Sequence, residues 1–283
     1  MICSSTKLYC VLGNPVFHSK SPLVHNISFM ANKIDAVYLA FEPLDIATAI
    51  QSIKTLNIKG ASITIPFKES ILPYLDWIEP RAREIGAVNT VINKDGRLLG
   101  YNTDSKAAID PLVPYGIQDK TICIIGAGGA ARAMAHGIAD KKGQLIIINR
   151  SREKGASLAA EFNAQFIPFD KIGKIDKIGK IDKNGKTNPI TPDVVINTTS
   201  LGMHPHVESL AFPARYLTPG MVVMDLVYTP LETRLLSIAK GKGCITIDGL
   251  SMFIAQAAAQ FELWTGVKPD TNQMRQAILE NKC

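Results

Sequence analysis

The stretch Thr121–Arg132, TICIIGAGGAAR, limits the folds open to this chain more than any other. Its apolar residues Ile122–Ile125 are typical of a buried parallel strand. Gly126, Gly128 and Ala131 then match the pattern G-x-G-x-x-[GA], in which the glycines allow a tight turn and close approach of a phosphate, and the third small residue seats helix on strand. The stretch predicts a dinucleotide site. On local chemistry alone, a tight strand-to-helix turn is the alternative.

A second apolar run, Leu145–Ile148, follows about 20 residues later, where such folds place the ribose contact. An NAD site usually has an acidic residue at the end of this strand. Here the residues are polar or basic: Asn149, Arg150, Ser151, Arg152 and Lys154. This favours a cofactor with a 2′-phosphate, NADP(H). The alternative is that these are solvated residues that open the following helix.

Length and composition predict two globular domains. The chain has 283 residues, 46% of them hydrophobic and 20% charged. It has neither an apolar segment long enough for a membrane nor a recognisable secretion signal, so we expect a cytoplasmic protein.

The cysteines are scattered and fit neither a disulfide framework nor a metal site, so we expect reduced thiols and no metal. They are Cys3, Cys10, Cys123, Cys244 and Cys283.

The net charge of +6 does not indicate a nucleic-acid-binding protein. Residues 171–186 alone contain six lysines against two aspartates, and the rest of the chain is nearly balanced. No basic stripe is interleaved with aromatic residues. The KIGKID repeat in this segment has glycines that oppose a helix, so we expect a solvated, Lys-rich loop insertion there.

Strand and helix patterns alternate on both sides of the glycine-rich turn. Before it, Leu8–Leu12, Val37–Phe41 and Gly60–Ile65 are predicted strands, and Asn93–Gly96 is a hairpin signal. After it, the alternation continues to about Asp248. The predicted fold is therefore two α/β domains, the C-terminal one a doubly wound Rossmann-like domain. We expect a substrate-binding catalytic domain at 1–104 plus 250–283 and an NADP-binding domain at 105–249.

Several polar residues near element ends allow two interpretations each. Ser19 and Ser21 could hold a carboxylate, or Ser21 could be an N-cap before Pro22. Lys68 follows a parallel strand, where α/β folds bind ligands, but could be a surface lysine. Asp104 could be a helix cap. Gln256 and Gln260, one turn apart, could lie on the polar face of an amphipathic helix.

Nine segments carry a family resemblance. In order along the chain, they are GNPVFHSKSP, GASITIPFKE, GAVNTV, GYNTDS, GAGGAARA, NRSREK, INTTSLGM, DLVYTPLET and DGLSMFIAQAA. Together they resemble the shikimate dehydrogenase family. The resemblance covers nearly the whole chain except residues 169–192. It implies reversible, NADPH-dependent reduction of 3-dehydroshikimate to shikimate, a step toward chorismate and aromatic amino acids. The implied partner is this small-molecule substrate. From charge and composition we expect no nucleic-acid or membrane partner, and the expected assembly is a monomer or homodimer.

The resemblance also implies the roles of individual residues. The implied catalytic residues are Lys68 and Asp104, with Asp104 also contacting substrate. Ser19 and Ser21 would hold the substrate carboxylate, and Thr64, Asn89, Tyr228 and Gln256 would surround the ring hydroxyls. The implied cofactor residues are Gly126, Ala127, Gly128, Gly129, Ala130, Asn149, Arg150, Ser151, Arg152, Lys154, Leu226 and Gly249.

Three residues depart from the family pattern: Ser62 stands where Asn is typical, and Ser105 and Ser251 stand where Gly is usual. We expect these departures to affect affinity more than reaction type. Two other functions are weighed against the main one. A quinate/shikimate dehydrogenase that prefers NAD is expected to have an acidic residue near Asn149. A catalytically inactive binding or sensor protein would not need both Lys68 and Asp104.

Overall fold

The computed structural model describes residues 2–172, 179–181, 187–189 and 191–280. The chain divides into two compact units. The first contains Met1–Asp104 and Ile254–Cys283, and the second contains Ser105–Phe253. Each unit is built on its own six-stranded sheet, which confirms the prediction of two α/β domains. Among the described helices, none combines the length and apolar character that a bilayer crossing requires.

The first unit has a mixed sheet. Its strands are β1 (Lys7–Leu12), β2 (Ala36–Phe41), β3 (Gly60–Ile63), β4 (Trp77–Ile78), β5 (Thr90–Lys94) and β6 (Arg97–Tyr101), and its first four helices are α1 (Ser21–Ala31), α2 (Ile46–Thr55), α3 (Phe67–Ser70) and α4 (Pro80–Ile85). The strand order is β2-β1-β3-β5-β6-β4. The strands β2, β1 and β3 are parallel, whereas β5 is antiparallel to both of its neighbours.

The second unit is doubly wound. Its strands are β7 (Thr121–Ile125), β8 (Gln144–Asn149), β9 (Gln165–Pro168), β10 (Gly179–Ile181), β11 (Thr187–Pro189), β12 (Val194–Asn197), β13 (Val222–Asp225) and β14 (Ile245–Ile247). The main sheet has the order β14-β13-β12-β7-β8-β9, and every pair in it is parallel. Within this unit the chain enters the sheet at its middle strand, β7, and adds β8 and β9 on one side. It then returns to add β12, β13 and β14 on the other side, so the switch point for ligand binding lies between β7 and β12.

Helices complete both units. They are α5 (Asp104–Ile109), α6 (Gly129–Asp140), α7 (Arg152–Glu161), α8 (Phe169–Ile172), α9 (Arg234–Gly241), α10 (Gly249–Thr265) and α11 (Thr271–Glu280). The first unit resumes at Ile254, inside α10, whereas the sequence suggested a return at 250. That the first unit binds the substrate and the second binds the cofactor remains a prediction.

The apolar run of β7 is explained by burial on both faces of the sheet. Ile122 and Ile124 belong to one apolar cluster of the second unit, whereas Cys123 and Ile125 belong to another. Successive side chains of a strand point to opposite faces, so a central strand covered on both sides needs apolar residues at every position. This packing fixes the end of β7, and with it the start of the glycine-rich turn.

The Lys-rich segment is only partly described. Its first residues, Lys171 and Ile172, end α8, and Gly179–Ile181 pairs antiparallel with Thr187–Pro189. Part of the expected loop insertion at 171–186 is therefore a short strand. Residues 173–178 and 182–186 lie outside the described residues.

His25 on α1 makes the first unit sensitive to acid. Burial lowers the pKa of this histidine to about 3; Gln260 nearby opposes the shift, yet neither ring nitrogen makes a hydrogen bond of normal geometry among the described residues. The ring is fully buried and stacks on Tyr38 at a centroid distance of 4.4 Å. The folded protein therefore stays unprotonated at His25 at pH values where the unfolded chain, with an ordinary histidine pKa near 6.5, takes up a proton.

Wild-type protein is expected to lose stability as the pH falls from about 6.5 toward 3, and His25→Phe is expected to lose less, because the variant has no proton to gain on unfolding at that position. Urea denaturation at about pH 7, 5 and 4 measures the difference. The exposed His206 offers a matched control, and His206→Phe should keep the wild-type pH dependence. Identical pH dependence in wild type and His25→Phe would contradict the assignment.

Candidate active site

Lys68 and Asp104 form an ion pair within the first unit. Lys68 Nζ donates a hydrogen bond to Asp104 Oδ2 at 2.6 Å, and the two side chains are only 16% and 6% exposed. Lys68 lies on the one-turn helix α3 after β3, and its backbone carbonyl accepts from the Val88 N–H at 2.8 Å. Charges so far withdrawn from water interact more strongly than a surface pair. An ammonium held in this way can stabilise developing negative charge on an oxygen and donate a proton to it.

The two predicted carboxylate-binding serines lie at the start of α1. Ser19 Oγ accepts from the Ser21 N–H at 3.2 Å. The N-cap residue of α1 is Lys20, and Ser21 is the first helical residue, so the interpretation of Ser21 as an N-cap is wrong. Both serines therefore lie at a helix N-terminus, where the helix dipole and backbone N–H groups favour an anion.

The loop that carries Ser19 is tied to the loop that carries Thr64. The Asn14 N–H donates to the Ile65 carbonyl at 2.9 Å. Glu42, which directly follows β2, accepts hydrogen bonds from the Val16 and Phe17 N–H groups. Sequence reasoning did not select Glu42. Its position at the carboxyl end of a parallel strand could have indicated Glu42, because α/β folds place their ligand-binding loops there.

Asn89 and Gln256 complete the predicted residues of the first unit, and Gln260 lies one turn after Gln256 on α10. The Asn89 amide bonds to Thr103, the residue before Asp104. Gln256 is half-buried on α10. Gln260 is only 1% exposed, so its interpretation as a residue on the polar face of an amphipathic helix is wrong. A buried glutamine needs hydrogen-bond partners, which the helical pattern alone could not reveal.

The glycine-rich turn fits the pyrophosphate of a dinucleotide. Gly126 has φ +122°, and a Cβ there would collide with Thr198 Oγ1, so only glycine suits this position. A Cβ on Gly128 would meet nothing within 4 Å, which leaves open space above the turn. Gly128 is also the N-cap of α6, and no side chain among the described residues caps this helix. The first N–H groups of α6 are thus suited to a phosphate.

Gly128→Ala is expected to weaken NADP+ binding about tenfold while leaving the unfolding midpoint nearly unchanged. The backbone at Gly128, with φ −94° and ψ −172°, suits any residue, and only the open space above the turn is filled. Gly126→Ala is the matched comparison and should lower thermal stability, because its φ and its contact with Thr198 both resist a side chain. Cofactor titration by calorimetry and thermal unfolding separate the two effects. A large fall in stability for Gly128→Ala would contradict the assignment.

The predicted 2′-phosphate residues lie between β8 and α7. Asn149 ends β8, and its Nδ2 donates to the Ser151 carbonyl at 2.9 Å. Ser151 caps α7 by accepting from the Lys154 N–H. Arg152 is exposed and pairs with Asp170 at 3.3 Å. These residues do open the helix, as the alternative suggested, and they also form a basic helix N-terminus able to attract a phosphate.

The remaining predicted residues lie near the ends of β13 and β14. Leu226 follows β13, and its N–H donates to the Asn197 carbonyl at 2.9 Å. A Cβ on Gly249 would lie 2.5 Å from the Leu226 carbonyl oxygen, so these two predicted cofactor residues are in close backbone contact. Tyr228 packs on Phe253 with ring centroids 4.6 Å apart.

Asp225 is a further polar residue at this edge that sequence reasoning did not select. Its carboxylate accepts from Asn197 Nδ2 at 2.9 Å, the Val227 N–H at 3.0 Å and Thr233 Oγ1 at 2.7 Å. Burial raises the pKa of Asp225 to about 6 against the effect of these bonds. The carboxylate fixes the loop that carries Leu226 and Tyr228. The signal was present in DLVYTPLET, where an acidic residue ends an apolar strand.

The three departures from the family pattern are accommodated without strain. Ser62 lies in the core of the first unit, where its hydroxyl bonds to Tyr38 and Gln260. Ser105 is 8% exposed in α5. Ser251 lies in the first turn of α10, where its N–H and Oγ donate to Asp248 Oδ1. Ser251 is not among the described residues with positive φ, so a serine causes no backbone strain at this position.

The fold and the glycine-rich turn define the class of this chain: a two-unit α/β protein with a Rossmann-like dinucleotide-binding unit. Family models match it at residues 11–91 (shikimate dehydrogenase substrate binding domain), 112–181 (shikimate / quinate 5-dehydrogenase) and 249–279 (shikimate 5′-dehydrogenase C-terminal domain). A shikimate dehydrogenase (NADP(+)) of Moorella thermoacetica is 42% identical over 282 residues, covering 98% of this chain and 94% of that protein. The chain belongs to the shikimate dehydrogenase family.

Solved structures give the same result. A shikimate dehydrogenase in complex with NADP+ has 39% sequence identity and a TM-score of 0.86, covering 100% of this chain and 98% of that one. The enzyme from Thermus thermophilus, solved with NADP(H) and shikimate, has 31% identity and a TM-score of 0.81, covering 97% of this chain and 99% of that one. These similarities confirm the predicted Rossmann-like fold.

Proposed function

We propose that this protein is an NADP-dependent shikimate dehydrogenase, which reversibly reduces 3-dehydroshikimate to shikimate on the route to chorismate and the aromatic amino acids. The observation that carries the proposal is the largely buried Lys68–Asp104 pair, in a chain that matches relatives named shikimate dehydrogenase (NADP(+)) over almost its full length. The glycine-rich turn and the basic start of α7 support NADP(H) as the cofactor.

The chemistry of the site suits ketone reduction. When bound, NADPH would supply the hydride, and reduction of a carbonyl carbon leaves negative charge on its oxygen. Lys68, as a cation, stabilises that charge and donates the proton, while Asp104 orients the ammonium. Alcohol oxidation is the reverse, in which Lys68 accepts the proton of the substrate hydroxyl.

The other predicted residues recognise the substrate. Ser19 and Ser21, at the N-terminus of α1, are proposed to bind the carboxylate, which their position at a helix start favours. The remaining residues are proposed to bind ring hydroxyls. They are Thr64, Asn89, Asp104, Tyr228 and Gln256.

A single assay tests the proposal. Purified protein is incubated with shikimate or quinate and with NADP+ or NAD+, and formation of the reduced nicotinamide is followed by absorbance. We expect turnover with shikimate and NADP+, and a much lower kcat/KM for every other combination. Preference for quinate with NAD+ would favour the alternative enzyme. Absence of turnover with all four combinations would favour an idle binding protein.

Features of the chain weigh against both an NAD-preferring quinate/shikimate dehydrogenase and an inactive binding protein. The curated relatives carry NADP(+) in their names, and the end of β8 has Asn149 and Arg150 where an NAD enzyme would want an acidic residue. A binding protein would have no need for a lysine and an aspartate in contact within a largely buried site.

The cytoplasm is the proposed location, and a monomer or homodimer the proposed assembly. The four described cysteines, Cys3, Cys10, Cys123 and Cys244, are free, as a reducing compartment would keep them. Size-exclusion chromatography with light scattering would determine the oligomeric state.

A further inference from the structure

A chain of buried hydrogen bonds leads from Gln260 to Asn89. Gln260 Nε2 donates to the Asn89 carbonyl and to Thr90 Oγ1, both at 3.0 Å. Thr90 Oγ1 donates to Asn89 Oδ1 at 2.7 Å. On the other side, Ser62 Oγ donates to Gln260 Oε1 at 2.7 Å and accepts from Tyr38 Oη at 2.6 Å. All five residues are buried, so water cannot substitute for a missing partner.

Backbone groups at two points fix the direction of this chain. The Asn89 carbonyl can only accept, so the nitrogen of the Gln260 amide must face it and Oε1 must face Ser62. The Thr103 N–H can only donate, and it donates to Asn89 at 2.9 Å, so Oδ1 of Asn89 must face Thr103. Asn89 Oδ1 can only accept, so the Thr90 hydroxyl donates its single proton to this oxygen at 2.7 Å, while Thr103 Oγ1 is more distant at 3.5 Å.

The consequence is a fixed orientation of the Asn89 amide. Its oxygen accepts from Thr90 and from the Thr103 N–H, and its Nδ2 donates to Thr103 Oγ1 at 2.8 Å. An amide nitrogen carries two hydrogens, so Asn89 has a second N–H to offer to an oxygen of the substrate. Thr103 directly precedes Asp104, so the same bonds also hold the segment that carries the catalytic carboxylate.

We propose that Gln260 is a positioning residue, which acts through Thr90 to hold the Asn89 amide in the orientation that donates a hydrogen bond toward a substrate hydroxyl or ketone oxygen. This inference rests on the proposed function. Ser62 belongs to the same hydrogen-bond network, because its hydroxyl accepts from Tyr38 and donates to Gln260. Gln260 thus reinforces, through Thr90, the orientation that the Thr103 N–H imposes on the Asn89 amide, although Gln260 itself is bonded to protein groups at both ends of its amide.

Gln260→Met tests the inference, because methionine fills a similar volume without the amide. We expect the KM for shikimate to rise about tenfold, as loss of one or two buried hydrogen bonds predicts, while kcat changes less than about threefold and the KM for NADP+ is unchanged. Thr90→Val should raise the KM for shikimate by a similar factor, and the double variant should be no worse than the poorer single variant. Thr90→Ser keeps the hydroxyl and should behave like wild type.

Trp264→Phe is the matched control. Trp264 lies one turn further along α10, and its Nε1 donates to the Val91 carbonyl of β5 at 3.0 Å. The variant loses a helix-to-strand hydrogen bond in the same core but leaves the Asn89 amide untouched, so its KM for shikimate should not change. An unchanged KM in both Gln260→Met and Thr90→Val, or an equal rise in Trp264→Phe, would overturn the inference. If Gln260→Met fails to fold, the two Thr90 variants decide alone.

Hydrogen exchange at the Thr103 N–H gives a readout independent of turnover. Exchange measured by NMR should accelerate about tenfold in Gln260→Met relative to Trp264→Phe, because Asn89 Oδ1 is no longer held in place. If the wild-type protein does not oxidise shikimate, the proposed function fails together with the substrate part of this inference. Unchanged Thr103 exchange with an active wild-type enzyme overturns the inference alone.

Discussion

Replacing Lys68 with alanine is expected to lower kcat for shikimate oxidation by about two to four orders of magnitude and to change the KM for shikimate far less. The ammonium acts on charge that develops only as the reaction proceeds, so its removal affects the transition state more than the bound ground state. The geometry supports this role, because Nζ lies 2.6 Å from Asp104 Oδ2 in a largely buried pair. Steady-state kinetics with shikimate and NADP+ measure the effect.

Lys54 provides the matched control for Lys68. It also pairs with an aspartate of the first unit, Asp76, at 3.3 Å, but its side chain is 35% exposed. Lys54→Ala should therefore leave kcat near the wild-type value. Since Lys68→Ala leaves Asp104 buried without its cation, that variant should also be less stable. Unchanged affinity for NADP+ would show that the fold is intact, and wild-type turnover in Lys68→Ala would refute the assignment.

Arg150→Asp is expected to reduce kcat/KM for NADP+ by about a hundredfold or more and to leave kcat/KM for NAD+ within about threefold of wild type. A guanidinium bound to a phosphate contributes a charge-assisted hydrogen bond, and the introduced carboxylate repels the 2′-phosphate. Arg150 follows β8 directly and precedes the cap of α7, which is where a ribose substituent is recognised in this fold. Because both cofactors are assayed with the same preparation, an error in enzyme concentration does not affect the ratio of the two kcat/KM values.

A control for this variant must change the net charge equally. Lys240, exposed on α9 of the same unit, allows the matched change Lys240→Asp. This control should keep the wild-type preference for NADP+, because general electrostatic attraction of an anionic cofactor is weak and screened by salt. A parallel loss of NADP+ and NAD+ activity in Arg150→Asp would mean that Arg150 supports the fold and does not select the cofactor.

The second unit could be predicted from the sequence because its strands are buried on both faces. Continuous apolar runs such as Ile122–Ile125 and Leu145–Ile148 stand out, and the glycine-rich turn fixes where β7 ends. The hairpin of the first unit was also predictable, since Asp95 and Gly96 form the turn between the paired Lys94 and Arg97. These are local signals that need no knowledge of distant contacts.

The candidate site depended on contacts that sequence spacing does not encode. Lys68 and Asp104 are far apart in the chain, and local patterns suggested a surface lysine and a helix cap. Only the family resemblance linked these two residues, whose side chains are 2.6 Å apart in the fold. Ser21 was misinterpreted because Ser-Pro usually marks a cap, whereas here the helix begins one residue earlier than that pattern implies. Gln260 was misinterpreted because its partners, Ser62, Asn89 and Thr90, are distant from it in the sequence.

The bridge between Ser62 and Gln260 has a consequence for mutagenesis. In this core, the serine hydroxyl reaches Gln260 Oε1 at 2.7 Å, which leaves little room for a longer side chain at 62. Introducing the asparagine typical of the family at that position alone would crowd the glutamine and set two amides in competition for the same partners. We therefore expect the effects of substitutions at 62 and 260 on stability to be coupled, with Ser62→Asn tolerated better when residue 260 is shorter.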